Sequence, residues 1–153
     1  MSWISWIFGW HARANIRKEF HAIAEVLFVH LQRLYSGEWA ENGAMEVATA
    51  VTTALLGPPP GDEAALRSVS VDPQVVEANL ERIGADSEIC WMVSLFRLRR
   101  NRVAGEVTSA TVAADERLRK LGILLPADAV QLPSSHRALM REVKKFELMA
   151  KRV

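Results

Sequence analysis

Residues 86–102, DSEICWMVSLFRLRRNR, form the stretch that decides the fold, because they read as a helix that is apolar on nearly every side. Between Ile89 and Leu98 only Ser94 and Arg97 are polar. A helix without a polar face is normally buried at the centre of a group of other helices. We therefore expect the rest of the chain to supply amphipathic helices that surround it.

The surrounding helices are predicted from apolar residues spaced three and four apart, whereas alternation of period two is almost absent. Gly37 and Pro58 are typical of helix ends, and Asp72 is typical of a helix start. The predicted spans are about 12–35, 43–56, 73–83, 87–102, 107–121 and 135–153, preceded by a short helical turn over 3–10. This pattern predicts an all-α, single-domain bundle of five or six helices.

Length and composition agree with one globular domain, since the chain has 153 residues and half of them are apolar. A globule of this mass buries about two-thirds of the surface of its unfolded chain. The single cysteine, Cys90, excludes an internal disulfide framework and a Cys-rich zinc site, and it indicates a reducing compartment, which we take to be the cytoplasm. We divide the chain into residues 1–12 and a bundle domain at 13–153, with the proline-rich residues 57–62 as a candidate hinge or an ordinary surface loop.

The N-terminal sequence MSWISWIFGW is unusually apolar and holds three of the five tryptophans. The apolar side chains of this Trp-rich segment, defined as residues 1–12, are Trp3, Ile4, Trp6, Ile7, Phe8 and Trp10. Four of them, at positions 3, 6, 7 and 10, share one face of a helix. The segment is too short to span a bilayer and lacks the features of a signal peptide. Three ways of covering it stay open: its own bundle, a groove on a protein partner, and the interface of a membrane.

Charge is unevenly distributed along the chain, although its net value is +1. Residues 61–90 carry seven acidic and two basic side chains, and residues 91–153 carry thirteen basic and six acidic ones. The candidate basic face consists of Arg97, Arg99, Arg100, Arg102, Arg137, Arg141, Lys144 and Lys145. The four arginines between 97 and 102 are too close together for one helical face, so at least two should point to solvent.

A basic face of this kind binds nucleic-acid phosphates, an anionic membrane or an acidic partner. The alternative is that these cations pair with acidic residues within the fold. No zinc finger, RNA-binding motif or clear helix-turn-helix accompanies the basic residues.

Catalytic and metal-binding signals are weak in this sequence. His21 and Glu25 are spaced to share a metal, but two ligands do not make a site. His30 lies on nearly the opposite helical face from His21, so we expect one surface and one buried histidine. The apolar neighbours of Cys90 should raise the pKa of its thiol and leave it inert. No phosphate-binding loop or nucleophile motif is present, and we predict neither an enzyme nor a cofactor.

These observations predict a non-enzymatic helical interaction protein, a subunit or adaptor that docks through its Trp-rich segment on a protein partner or on a second copy. The first alternative is a cytoplasmic protein that attaches peripherally to a membrane through the same segment. The second alternative is a nucleic-acid-binding protein that uses the basic C-terminal region. No small-molecule substrate is evident from the sequence.

Overall fold

The structure is a computed structural model of the 153-residue chain, and it describes residues 3–39, 43–58, 71–103 and 107–151. Side chains within these ranges are described from Ala14 onward, except at positions 36, 38 and 39. The described residues form six α-helices and no strand, which confirms the all-α prediction. They are α1 (Trp3–Trp39), α2 (Ala44–Leu56), α3 (Pro73–Ile83), α4 (Ser87–Val103), α5 (Ser109–Lys120) and α6 (His136–Ala150), with a short 3₁₀ turn at Ala127–Ala129.

Helix starts follow the capping residues in the sequence. The Asp72 carboxylate accepts a hydrogen bond from the Gln74 backbone N–H at 2.9 Å, and proline occupies the first position of α3. The Ser135 hydroxyl accepts one from the Ala138 N–H at 3.1 Å, at the start of α6. Each side chain satisfies a backbone donor that the helix itself leaves unpaired. The predicted starts of these two helices are confirmed.

Helix α1 differs from its prediction at both ends, since it is one continuous helix of 37 residues. The expected break near position 12 and the expected stop at Gly37 are both wrong. No proline occurs before position 58 to interrupt the helix, and Gly37 does not adopt a positive φ. One glycine costs only about 1 kcal/mol in a helix, which does not by itself end one. At 1.5 Å per residue the helix is about 55 Å long.

Helix α4 lies at the centre of the core, as its apolar composition predicts. It packs against α1, α2 and α6. The Phe96 ring meets the Phe20 ring of α1 edge to face, with centroids 5.7 Å apart. The buried apolar residues of α4 are Ile89, Cys90, Met92, Val93, Leu95 and Phe96.

The connection between α5 and α6 packs onto the bundle, as its apolar composition predicts. Ile123, Leu124 and Val130 are buried. The Ser94 hydroxyl of α4 accepts a hydrogen bond from the Leu125 N–H at 2.9 Å and lies 3.1 Å from the Ile123 carbonyl oxygen. This polar contact holds the loop against the central helix. The candidate hinge at 57–62 falls mostly outside the described residues, which include only its first two positions.

Candidate functional site: the basic residues and the groove between α1 and α6

Arg97 does not lie on a basic surface, because its side chain is only 1% exposed. Its Nε donates to Asp115 Oδ1 of α5 at 2.5 Å, and its Nη1 donates to the Leu55 carbonyl at 3.0 Å. A guanidinium has five N–H donors, so one side chain can pair with a carboxylate and also satisfy a carbonyl at the end of α2. Arg97 therefore joins α4, α5 and α2 inside the core.

Arg99 is also buried and was wrongly placed on the solvated face. Its guanidinium pairs with the fully buried Glu19 carboxylate of α1. The same carboxylate lies 3.0 Å from Nδ1 of His136 at the start of α6. A buried charge needs an ionic or hydrogen-bonding partner, and this cluster supplies both. Arg99 is therefore a structural residue that connects three helices.

The other two arginines of the α4 cluster lie nearer the surface. The Arg100 side chain is half-buried, 3.7 Å from Asp115 Oδ1. Burial, and next the neighbouring Arg97, lowers the pKa of Arg100 to about 10, which leaves it charged at neutral pH. Arg102 is exposed. Of the four arginines, Arg102 alone is fully on the surface, so α4 contributes little to a basic face.

Helix α6 carries the remaining predicted cations on its solvent side. The α6 basic face consists of the exposed residues Arg137, Arg141, Lys144, Lys145 and Lys151. The opposite side of the helix buries Leu139, Val143, Phe146 and Ala150 in the core. Lys151, which the sequence places among the cations of this last helix, lies directly after the last residue of α6. It follows Lys144 by two helical turns, a spacing that the sequence already contained.

The cations of the α6 basic face differ in their pairing. Lys145 lies 3.3 Å from Glu142, and Lys144 and Lys151 lie 3.9 and 3.5 Å from the same Glu147 carboxylate. Such exposed pairs contribute ~0–1 kcal/mol and exchange readily with other partners. Among the described residues, no ion pair involves Arg137 or Arg141. These two guanidinium groups are therefore available to an external anion.

A groove of about 250 Å³ lies between α1 and α6. The two helices run parallel, since contacts at Glu19–His136 and at His30–Phe146 are eleven residues apart on α1 and ten on α6. The α1–α6 groove has apolar walls and charged side chains at its edges. It is lined by Ala22, Glu25, Val26, Val29, His30, Arg33, Met140, Val143, Lys144, Glu147, Ala150 and Lys151.

His30 is the buried histidine expected from the helical spacing, and His21 is the exposed one. The His30 ring meets the Phe146 ring edge to face at 5.5 Å. Neither ring nitrogen of His30 has a hydrogen-bond partner among the described residues. Burial lowers the pKa of His30 below its ordinary value of 6.5, an effect that outweighs the nearby carboxylates of Asp86 and Glu88. His30 is therefore neutral at pH 7.

The residues considered for catalysis or metal binding do not assemble into a site. His21 and Glu25 are both exposed, and the described part of the chain contains no group of three His, Cys, Asp or Glu side chains that could hold a metal. Burial raises the pKa of the Cys90 thiol to about 11, with a further contribution from Asp86. This confirms the expectation that the thiol is protonated and unreactive at neutral pH.

The docking residues predicted in the Trp-rich segment, Trp3, Ile4, Trp6, Ile7, Phe8 and Trp10, belong by their backbone to α1, and their side chains lie outside the described residues. Within the described ranges, none of the helices combines the length and the apolar content needed to cross a bilayer. Comparison with family models, with curated proteins and with solved structures finds no match to this chain.

Proposed function

We propose that this protein is a non-enzymatic helical interaction protein, a subunit or adaptor of a larger assembly that docks through its Trp-rich segment. The observation that carries the proposal is the continuity of α1 from Trp3 to Trp39. Among the side chains that the structure describes, the buried residues of α1 run from Ile16 to Leu31, so the segment and these core residues belong to one helix. A helix that carries an anchor at one end and packs in a core further along holds the anchor in a fixed orientation, which lowers the entropy cost of docking.

The angular position of the Trp-rich segment around the axis of α1 also supports docking on another molecule. Counted at about 100° per residue, positions 3, 6, 7 and 10 centre ~120° away from the stripe of α1 that packs in the core. The same angular sector holds the exposed residues Arg17, His21 and Glu25 and the half-buried residues Ala24 and Phe28. The phase of this apolar face differs from that of the fully buried stripe of α1, so we expect a partner or a second copy to cover it.

The energy of docking would come from burial of the indole side chains. Each tryptophan buries up to about 250 Å², and apolar area contributes about 25 cal/mol per Å². Three tryptophans together provide several kcal/mol, enough to offset part of the entropy lost on association. Arg137 and Arg141 of the α6 basic face would add a polar second contact, which favours a partner with acidic residues beside its apolar groove.

The test compares the wild type, the triple variant Trp3→Ala/Trp6→Ala/Trp10→Ala and a matched control, Met45→Ala/Val112→Ala/Leu148→Ala. The control removes three apolar side chains that are 64%, 50% and 52% exposed elsewhere on the surface. Self-association is measured by light scattering of purified protein, and assembly by native purification from the source cell. We expect the triple variant alone to lose its stoichiometric partner or its second copy and to gain solubility. Retention of the complex by the triple variant would contradict the proposal.

Two further measurements separate the alternatives. The first is co-sedimentation with vesicles of phosphatidylcholine and phosphatidylglycerol. If the wild type forms no protein complex but binds the vesicles, and the triple variant does not bind them, the segment is assigned to a membrane instead. Binding to duplex DNA that weakens steeply with added salt, and that Arg137→Glu/Arg141→Glu abolishes, would assign the α6 basic face to phosphates.

A further inference from the structure

We propose that the α1–α6 groove binds a single-chain anionic amphiphile, such as a long-chain carboxylate, with its hydrocarbon between the helices and its headgroup at Arg33 and Lys151. The site is independent of the docking role proposed for residues 1–12, because none of its lining residues belongs to that segment.

The floor and walls of the groove suit a hydrocarbon chain. Val26, Met140 and Val143 contribute apolar side chains, and Val29 leaves 42% of its surface exposed beside the groove. His30 adds no charge here, since it is neutral at pH 7 and its ring nitrogens are shielded from solvent. A concave apolar surface with a few convergent polar groups is the usual form of a small-molecule site.

The edge of the groove suits an anionic headgroup. Arg33 is exposed and takes part in none of the ion pairs among the described residues. Lys144 and Lys151 share the single carboxylate of Glu147, so that pair of cations is only half neutralised. A ligand carboxylate near Lys151 would gain charge-assisted hydrogen bonds from groups that are already at the surface. Glu25 is the other acidic residue of the edge, and it lies two turns before Arg33 on α1.

The parallel register of the helices places the headgroup at one end. The contacts at Glu19–His136 and His30–Phe146 put Arg33 opposite Ala150 and Lys151, near the end of α6. The opposite end is lined by the apolar side chains of Ala22 and Met140, with Glu25 at its edge. A polar end and an apolar end in one groove specify an amphiphile with its charge at one terminus. An extended membrane surface is flat and does not enter a concave groove of this size.

The probe is dodecanoate, titrated into the full chain below its micelle concentration and followed by calorimetry. The variant Arg33→Glu/Lys151→Glu reverses the charge of the headgroup end, and Arg119→Glu/Lys120→Glu makes the same change at two exposed residues of α5. We expect saturable binding by the wild type and the α5 control, and at least tenfold weaker binding by Arg33→Glu/Lys151→Glu. Dodecyltrimethylammonium, which has the same chain and the opposite charge, should bind at least tenfold more weakly than dodecanoate.

A second variant tests the hydrocarbon site without changing charge. Ala22→Trp places a large side chain at the apolar end of the groove, where it should abolish dodecanoate binding while the far-ultraviolet circular dichroism spectrum stays unchanged. Equal affinity of Arg33→Glu/Lys151→Glu and the α5 control would overturn the proposal. So would equal affinity for the two amphiphiles, or an absence of saturable binding by the wild type. Retention of dodecanoate binding by Trp3→Ala/Trp6→Ala/Trp10→Ala is expected whether or not the docking proposal holds.

Discussion

At the scale of single residues, the buried ionisable groups differ in how their polar atoms are satisfied. Arg97 is paired with Asp115, and Arg99 is paired with Glu19. Loss of one partner from a buried pair costs about 3–5 kcal/mol, because the other charge stays buried without compensation. His30, in contrast, has no hydrogen-bond partner for either ring nitrogen among the described residues. The arginines therefore stabilise the bundle, whereas His30 is a cost to it.

His30→Leu should stabilise the protein by ~1 kcal/mol at pH 7.5, because it removes buried donors and acceptors that lack partners. The gain should increase at pH 5.5. The folded-state pKa of His30 lies below its ordinary value of 6.5, so the unfolded chain binds the proton more readily. The contribution of neutral His30 to stability is therefore fully present well above pH 6.5 and decreases as the pH falls from 6.5 towards the lower folded-state pKa.

Urea denaturation at both pH values measures this effect, and exposed His21→Leu is the control. The free energy of unfolding of His21→Leu should follow the pH as the wild type does. The account of His30 is contradicted if His30→Leu loses stability at pH 7.5, or if the two variants show the same dependence on pH.

The sequence indicated only part of this residue-scale chemistry. Glu19 falls within the buried stripe of α1, three residues after Ile16 and four before Ile23, and a carboxylate in that register signals a buried partner. Its partner, Arg99, is 80 residues away, and that pairing depends on how α1 and α4 pack. Burial of Arg97 was likewise not predictable, because it requires the position of Asp115 on a helix whose orientation the sequence does not specify.

At the scale of helices, local chemistry predicted most of the boundaries. Capping side chains gave the starts of α3 and α6, and Gly122, with a φ of 77°, directly follows the predicted span 107–121. The helix α1 was the exception, because Gly37 resembles a helix end in sequence and yet lies inside the helix. A glycine with a positive φ ends a helix. Glycine permits a positive φ but does not require one, so its presence in the sequence does not decide the matter.

Gly37→Ala should raise the free energy of unfolding by about 0.5–1 kcal/mol, because alanine loses less entropy in a helix and the added Cβ meets no other atom within 4 Å. Gly84→Ala is the matched comparison at the end of α3. There the added Cβ would lie 2.5 Å from the Leu121 carbonyl oxygen, and we expect a loss of about 1–3 kcal/mol. Thermal denaturation measures both changes. Destabilisation by Gly37→Ala would show that α1 ends before this position.

At the scale of the whole molecule, the uneven charge of the sequence is only partly balanced within the fold. Among the described residues, Arg117 pairs with Glu77 of the acidic stretch, in a contact exposed to solvent. Other cations of the basic C-terminal region pair outside that stretch. Lys144 and Lys145 pair with glutamates of their own helix, and Arg99 pairs with Glu19 of α1. The central assembly of helices could be predicted from one apolar stretch, but the pairing of charges across it could not. Arg137 and Arg141 take part in no ion pair among the described residues, and the proposed function assigns them to an external partner.

The central claim is that the indoles of the Trp-rich segment are covered by something other than their own bundle. Urea denaturation of Trp3→Ala/Trp6→Ala/Trp10→Ala tests it most directly, because truncation of a core tryptophan costs ~3–5 kcal/mol, whereas surface substitutions stay within ~0.5 kcal/mol. We expect the free energy of unfolding of the isolated triple variant to lie within about 1.5 kcal/mol of the wild type. A fall of 5 kcal/mol or more, on the order of one or two buried tryptophans, would show that the segment belongs to its own core and would contradict the docking role.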